Sequence, residues 1–154
     1  MPNTGDYLFV DNTLDWAKVM NNWEGLTPEA FTIYLVNRFG DAFLVDLDGA
    51  VHMLDIGACN CKKVARSKGQ FVALLNEHFG NWLMVNATDA CVQHGMTLGQ
   101  GECYGYKVPP FLGGKIDLGN IYVTKLADYH QKMGRIYQKI KDLPDGTTVQ
   151  MVGE

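Results

Sequence analysis

The chain reads as an α+β protein: an antiparallel β-meander packed against three or four helices, in a single domain over 1–154. Three observations predict this. Short extended apolar segments fill residues 31–65, the clearest being 42–47 and 50–56 on either side of Asp48-Gly49. Helical spacing then takes over twice, at Phe71, Leu74, Leu75, His78 and Phe79, and at Leu126, Tyr129, His130, Met133, Ile136, Tyr137 and Ile140. A chain of 154 residues is also long enough to bury roughly 68–70% of its unfolded surface around one core. With 47% apolar and 19% charged residues, its composition is that of an ordinary globular protein and not of a disordered one.

Taken in order, Tyr7-Leu8-Phe9-Val10 is a short apolar segment suited to an edge strand. Asp11 or Asn12 is placed to cap a helix with the apolar face Trp16, Val19, Met20 and Trp23, and Gly25 ends it. Thr27-Pro28-Glu29 has the residues of a helix start, yet 31–36 is β-branched and aromatic, which makes it a strand. Asp48-Gly49 favours the left-handed φ values of a primed hairpin turn, Gly57 turns the chain again, and 60–65 adds another antiparallel strand. Ser67 with Gln70 forms a capping box that opens a helix over 67–79, which Gly80 stops. A second helix over 81–94 buries Leu83, Ala87, Ala90 and Cys91 and ends at Gly95.

A glycine-rich turn at 99–101 leads into Glu102-Cys103-Tyr104-Gly105-Tyr106-Lys107-Val108-Pro109-Pro110-Phe111-Leu112-Gly113-Gly114. The prolines fix φ and Gly113-Gly114 permits a reversal, so this stretch reads as a stiff apolar connector. It must lie across the body of the domain, because Tyr104, Tyr106, Val108, Phe111 and Leu112 cannot all sit in water. Residues 116–126 are mostly extended, with Ile121 and Val123 sharing a face. The strongest helix spans 126–142, with Asp128 at its positive end and Lys139 and Lys141 at its negative end, and Leu143-Pro144-Asp145-Gly146 terminates it.

Thirteen basic against seventeen acidic side chains give a net charge of −4, which argues against general nucleic-acid binding and favours a basic partner. The acid is concentrated. Residues 41–55 hold Asp41, Asp46, Asp48 and Asp55 with no Lys or Arg, and residues 1–30 hold five acids against Lys18. Either these are solvated faces or the first half of the chain presents an acidic docking surface, with Asp41, Asp46, Asp48 and Asp55 as its candidate partner-binding residues. No apolar run is long enough to span a bilayer, and residues 1–6 lack a basic n-region and an apolar h-region, so a cytoplasmic protein without membrane contact is expected.

Chemical constellations are weak. Cys59, Cys61, Cys91 and Cys103 with four histidines raise zinc, but no pair has C-x₂-C spacing, and Cys59-Asn60-Cys61 on a strand would point two thiols one way without a second pair. Reduced, mostly buried thiols are the better reading. Cys91 and His94, three apart on a helix, could meet as nucleophile and base, but no third group orients them. Asp46-Leu47-Asp48-Gly49 lacks the ligands of a calcium loop, and the glycines at 99–105 run into Pro109-Pro110 instead of a helix N-terminus. No catalytic residues, metal ligands or cofactor are assigned.

The segments Arg38-Phe39-Gly40-Asp41-Ala42-Phe43, Asp48-Gly49-Ala50-Val51-His52-Met53-Leu54-Asp55, the 101–114 stretch, Tyr129-His130-Gln131-Lys132-Met133-Gly134 and Lys141-Asp142-Leu143-Pro144-Asp145-Gly146 are ordered along about 31–148. Together they resemble a bacterial family, formerly a domain of unknown function: the C-terminal domain of Tdi-type immunity proteins, which neutralise DNase effectors of the type VI secretion system. The resemblance implies a non-catalytic protein that binds and occludes a cognate toxin, expected to be a basic nuclease domain, with no direct nucleic-acid contact. It transfers no contact residue, since Gly40, Gly49, Gly105, Gly113 and Gly114 read as turn residues and Tyr104, Tyr106, Phe111 and Tyr129 as core. A small-ligand binding or sensing module, with a pocket under the 102–114 connector, is the alternative.

Overall fold

The computed structural model describes residues 4–9, 11 and 13–143. Its centre is an antiparallel sheet of Phe31–Val36 (β1), Ala42–Asp46 (β2), Val51–Asp55 (β3) and Asn60–Ala65 (β4), in the order β1-β2-β3-β4. Glu102–Tyr106 (β5) and Ile121–Lys125 (β6) pair in a separate two-stranded sheet. The helices are Trp16–Val19 (α1), Lys68–Trp82 (α2), Val85–Gln93 (α3) and Leu126–Ile140 (α4). The fold is α+β, as the sequence predicts.

The main sheet is covered on both faces. Ala42 and Leu44 of β2 point with Leu54 into a core completed by Trp23, Leu126, Tyr129 and Met133. Phe43 and Val45 point the other way with Val51, against Phe71 and Leu83. This is why 42–45 is an unbroken apolar run: a strand with helices on both sides has no solvent face to spend on polar residues.

Several elements differ from their sequence expectation. The α1 cap is Asp15, which accepts the Lys18 amide at 3.3 Å, and not Asp11; Asn12 lies outside the described residues, as does Val10. The expected helix is only one turn, followed by a 3₁₀ turn at Asn21–Trp23. Its exposed carbonyls are served by α4 instead of by a longer helix. Gln131 Nε2 donates to Lys18 O at 2.8 Å, and Gln138 Nε2 donates to Asn22 O and Glu24 O at 2.8 and 2.9 Å.

The β2–β3 turn is not a primed two-residue turn. Gly49 N–H donates to Asp46 O at 3.0 Å and Asp46 N–H to Ala50 O at 2.9 Å, which makes a three-residue loop with Gly49 at φ +88°. Gly80 does not stop α2; the helix bends at His78 (φ −109°, ψ 16°) and continues to Trp82, and α3 starts at Val85 after left-handed Met84. Stacking explains the continuation, since Trp82 lies parallel to Phe71 at 5.4 Å and against His78 at 4.9 Å. The capping box closes one residue early: Gln70 Oε1 accepts from Arg66 N, while Ser67 Oγ accepts from Gln70 N. Pro144, Asp145 and Gly146, expected to end α4, lie outside the described residues.

The 102–114 stretch is half strand and half loop. Tyr104 and Tyr106 are both buried against Phe39, at ring distances of 5.3 and 5.7 Å. Val108, expected to be covered, is 43% exposed. The loop beyond it is held by one side chain: Asn120 Oδ1 accepts from Val108 N, and its Nδ2 donates to Val108 O and Lys115 O at 2.8 Å each.

Gly105 is not a turn residue. It sits in β5 opposite Tyr122, where a Cβ would lie 2.8 Å from Tyr129 Cε1. Gly105→Ala is therefore expected to cost about 2 kcal/mol, seen as a lower denaturation midpoint at unchanged m-value, because the buried Tyr129 ring must shift against β5.

Candidate docking surface

The acidic hairpin is where the charge asymmetry of the sequence becomes geometry. Asp46 builds the turn itself: its Oδ1 accepts the amides of Asp48 at 2.9 Å and Ala50 at 3.0 Å, and its Oδ2 lies 2.8 Å from His52 Nε2. The His52 contact, then the two amides, hold the Asp46 carboxyl below the usual range. Asp46 therefore stays ionised at the tip. Leu47, read from sequence as the last strand residue, stands instead at the apex and is 87% exposed, between Asp46 and exposed Asp48. The sequence signal was available in a leucine set between two aspartates just before a glycine.

The four candidate aspartates do not form one surface. Asp41 is only 6% exposed and presents little surface to a partner. Its Oδ2 accepts Asn37 Nδ2 at 3.0 Å and its Oδ1 accepts Ile56 N at 3.1 Å, so it ties the 37–41 turn to the end of β3. Burial, reinforced by the nearby Asp55 carboxylate, pushes the Asp41 carboxyl up to about 8. Asp55 accepts the Ala58 amide at 3.1 Å and is half-buried. Asp48, Asp46 and Asp55 are the members with access to solvent.

Asp55 also lines a cleft of about 520 Å³ with Lys62, Trp82, Tyr106 and Pro110, beneath the 102–114 stretch. A larger groove, about 1180 Å³, lies between residues 16–30 and β1; Trp16, Met20 and Phe31 line it with Glu24 and Glu29. Both carry acid beside apolar surface.

The other candidate groups are dispersed. Cys59 is not in β4; it turns the chain at φ +51°, and it packs with Cys61 against the same core cluster. Burial, aided by Asp55, pushes the Cys59 thiol up to about 12, and burial pushes Cys61 up to about 11. Cys91 is fully buried with its thiol likewise raised, while the exposed His94 holds its own helix through Nδ1 at 3.0 Å from Ala90 O. Among the described residues no three His, Cys, Asp or Glu side chains gather where they could hold a metal ion. No described helix is long and apolar enough to cross a membrane.

His130 is a core residue. The Trp23 Nε1–H donates to its Nδ1 at 3.0 Å, so Nε2 carries the proton and donates to Gly40 O at 2.8 Å. This joins α4 to the 37–41 turn and to the α1 segment through one neutral ring.

A comparison with curated proteins finds no match. Residues 65–137 match the family described as T6SS immunity protein Tdi1, C-terminal. That segment runs from the end of β4 through most of α4 and includes the Cys-Tyr-Gly and Pro-Pro-Phe-Leu-Gly-Gly blocks. The match covers 73 of the 154 residues, and over that segment the chain is similar to the type VI secretion immunity family.

Proposed function

We propose that this protein binds a cognate secreted toxin in the bacterial cytoplasm and occludes it without catalysis, and that the toxin is a nuclease with a basic face. The β2–β3 tip is the docking edge. The observation that carries this is Leu47, 87% exposed between two carboxylates in a 15-residue stretch without Lys or Arg. An apolar anchor supplies desolvation at the centre of an interface, and surrounding charge sets orientation and on-rate. A nuclease surface shaped to meet phosphate would be attracted to this tip.

The test uses the toxin encoded by the adjacent gene. Leu47→Ser is expected to weaken binding by about 1–3 kcal/mol, mainly through faster dissociation. Asp48→Lys is expected to slow association, with the difference shrinking as salt is added. Both positions are exposed, so the fold is unaffected. Unchanged kinetics in both variants would remove the hairpin from the interface; absence of any binding by the wild type would remove the toxin reading itself. The ligand-module alternative draws on the 520 Å³ cleft, and saturable small-molecule binding there without a protein partner would favour it.

A further inference from the structure

Two buried polar side-chain atoms among the described residues lack a hydrogen-bond partner, Arg38 Nε and Thr88 Oγ1. Both residues line one cleft of about 450 Å³ beside α3, apart from the hairpin tip. Thr88 is 2% exposed. A buried hydroxyl or guanidinium N–H without an acceptor carries its full desolvation cost, and native proteins rarely keep one. Valine would fill the Thr88 site with nearly the same volume and no such cost. Two orphaned donors on one cleft therefore point to an acceptor that completes them.

The same cleft carries the opposite sign. Asp89 lines it and accepts the Tyr7 hydroxyl at 2.8 Å, and exposed Asp6 lies at its edge. Yet no ion pair among the described residues involves Arg38, whose Nη2 donates only to the Gly5 carbonyl at 3.3 Å. Cationic donors and carboxylates thus share a pocket without neutralising one another. An occupant bearing both signs satisfies both, with its carboxylate accepting from Arg38 Nε and the Thr88 hydroxyl and its ammonium beside Asp89 and Asp6. Inorganic phosphate matches only half of this, since its second charge would face the two aspartates. The volume lies within the usual range for small-molecule sites. We propose that this cleft binds a small zwitterion of the amino-acid type, independently of any toxin bound at the hairpin.

The experiment is an amide and side-chain chemical-shift titration of the full chain with each free amino acid, with acetate, methylammonium and inorganic phosphate as separate probes. At least one amino acid is expected to shift the Thr88, Asp89 and Tyr104 resonances saturably at millimolar concentration, more tightly than acetate or methylammonium. Thr88→Val and Arg38→Met are each expected to weaken it about tenfold or more, and Thr88→Ser to restore it. Shifts that persist in Arg38→Met, or phosphate binding as tightly as the best amino acid, would overturn the assignment. So would no saturable shift with any amino acid, because the wild-type protein used in that arm is folded.

Discussion

Asn37→Ala is expected to cost about 4 kcal/mol, close to the upper end for a single substitution. Asn37 is fully buried and every polar atom of its side chain is used. Its Oδ1 accepts the amides of Phe39 at 2.9 Å and Asp41 at 3.0 Å, and its Nδ2 donates to Asp41 Oδ2 and Trp82 O at 3.0 Å each. Alanine orphans two amides, a carbonyl and one oxygen of a buried carboxylate at once, and each such loss costs about 1–3 kcal/mol before water enters. Equilibrium denaturation with intrinsic fluorescence measures it; a loss below about 1 kcal/mol would show that the network is dispensable. Asn37→Asp keeps the two amide bonds but sets a second carboxylate against Asp41. It is expected to lose stability relative to wild type as pH rises through about 8, where Asp41 gives up its proton, and to recover below that, where the pair shares it.

The second large effect is the dependence of stability on His130 and pH. Burial drives the His130 imidazole down to about 4, against the bond to Gly40 O, which favours the charged form. A group depressed in this way stays neutral in the fold, while the unfolded chain takes up its proton near 6.5. Its contribution is complete above about 6.5 and is lost as pH falls through about 4, a loss of about 3 kcal/mol. Asp41 has the opposite sign: a raised carboxyl favours the fold below its unfolded value and loses that contribution as pH rises through about 8. The two windows overlap, so the wild-type profile alone does not separate them.

His130→Leu does separate them. It is expected to cost about 3 kcal/mol at pH 7, where Trp23 Nε1 and Gly40 O lose their partner. That penalty shrinks by about the same amount as pH is lowered to 4, because the wild type has by then lost the histidine's contribution and the Asp41 contribution is common to both. A penalty that stays constant from pH 7 to 4 would mean that the ring titrates normally in the fold. His130 ring resonances that titrate near 6.5 would say the same directly.

The sequence by itself determined the elements whose pattern is local. The hairpin at 42–56, the strand at 60–65 and the α4 face through Leu126, Tyr129, His130 and Met133 follow from spacing, because a repeat of two or of 3.6 residues states which side chains share a face. The capping pair Ser67 and Gln70 was legible for the same reason. Only the tertiary structure decided which of these residues meet water. Asp41 and Asp48 are alike in the sequence, yet one is sealed by Asn37 and Ile56 and the other stands at an exposed tip. Leu47 reads as strand and is an apex; Gly80 reads as a stop and lies within a helix, because Trp82 finds Phe71 and His78 to stack on. Asn37 bonds to Trp82, 45 residues away, and His130 to Gly40, 90 residues away. Periodicity reports the conformation of one segment; burial of a charge and the pairing of a polar atom depend on which distant segments arrive beside it.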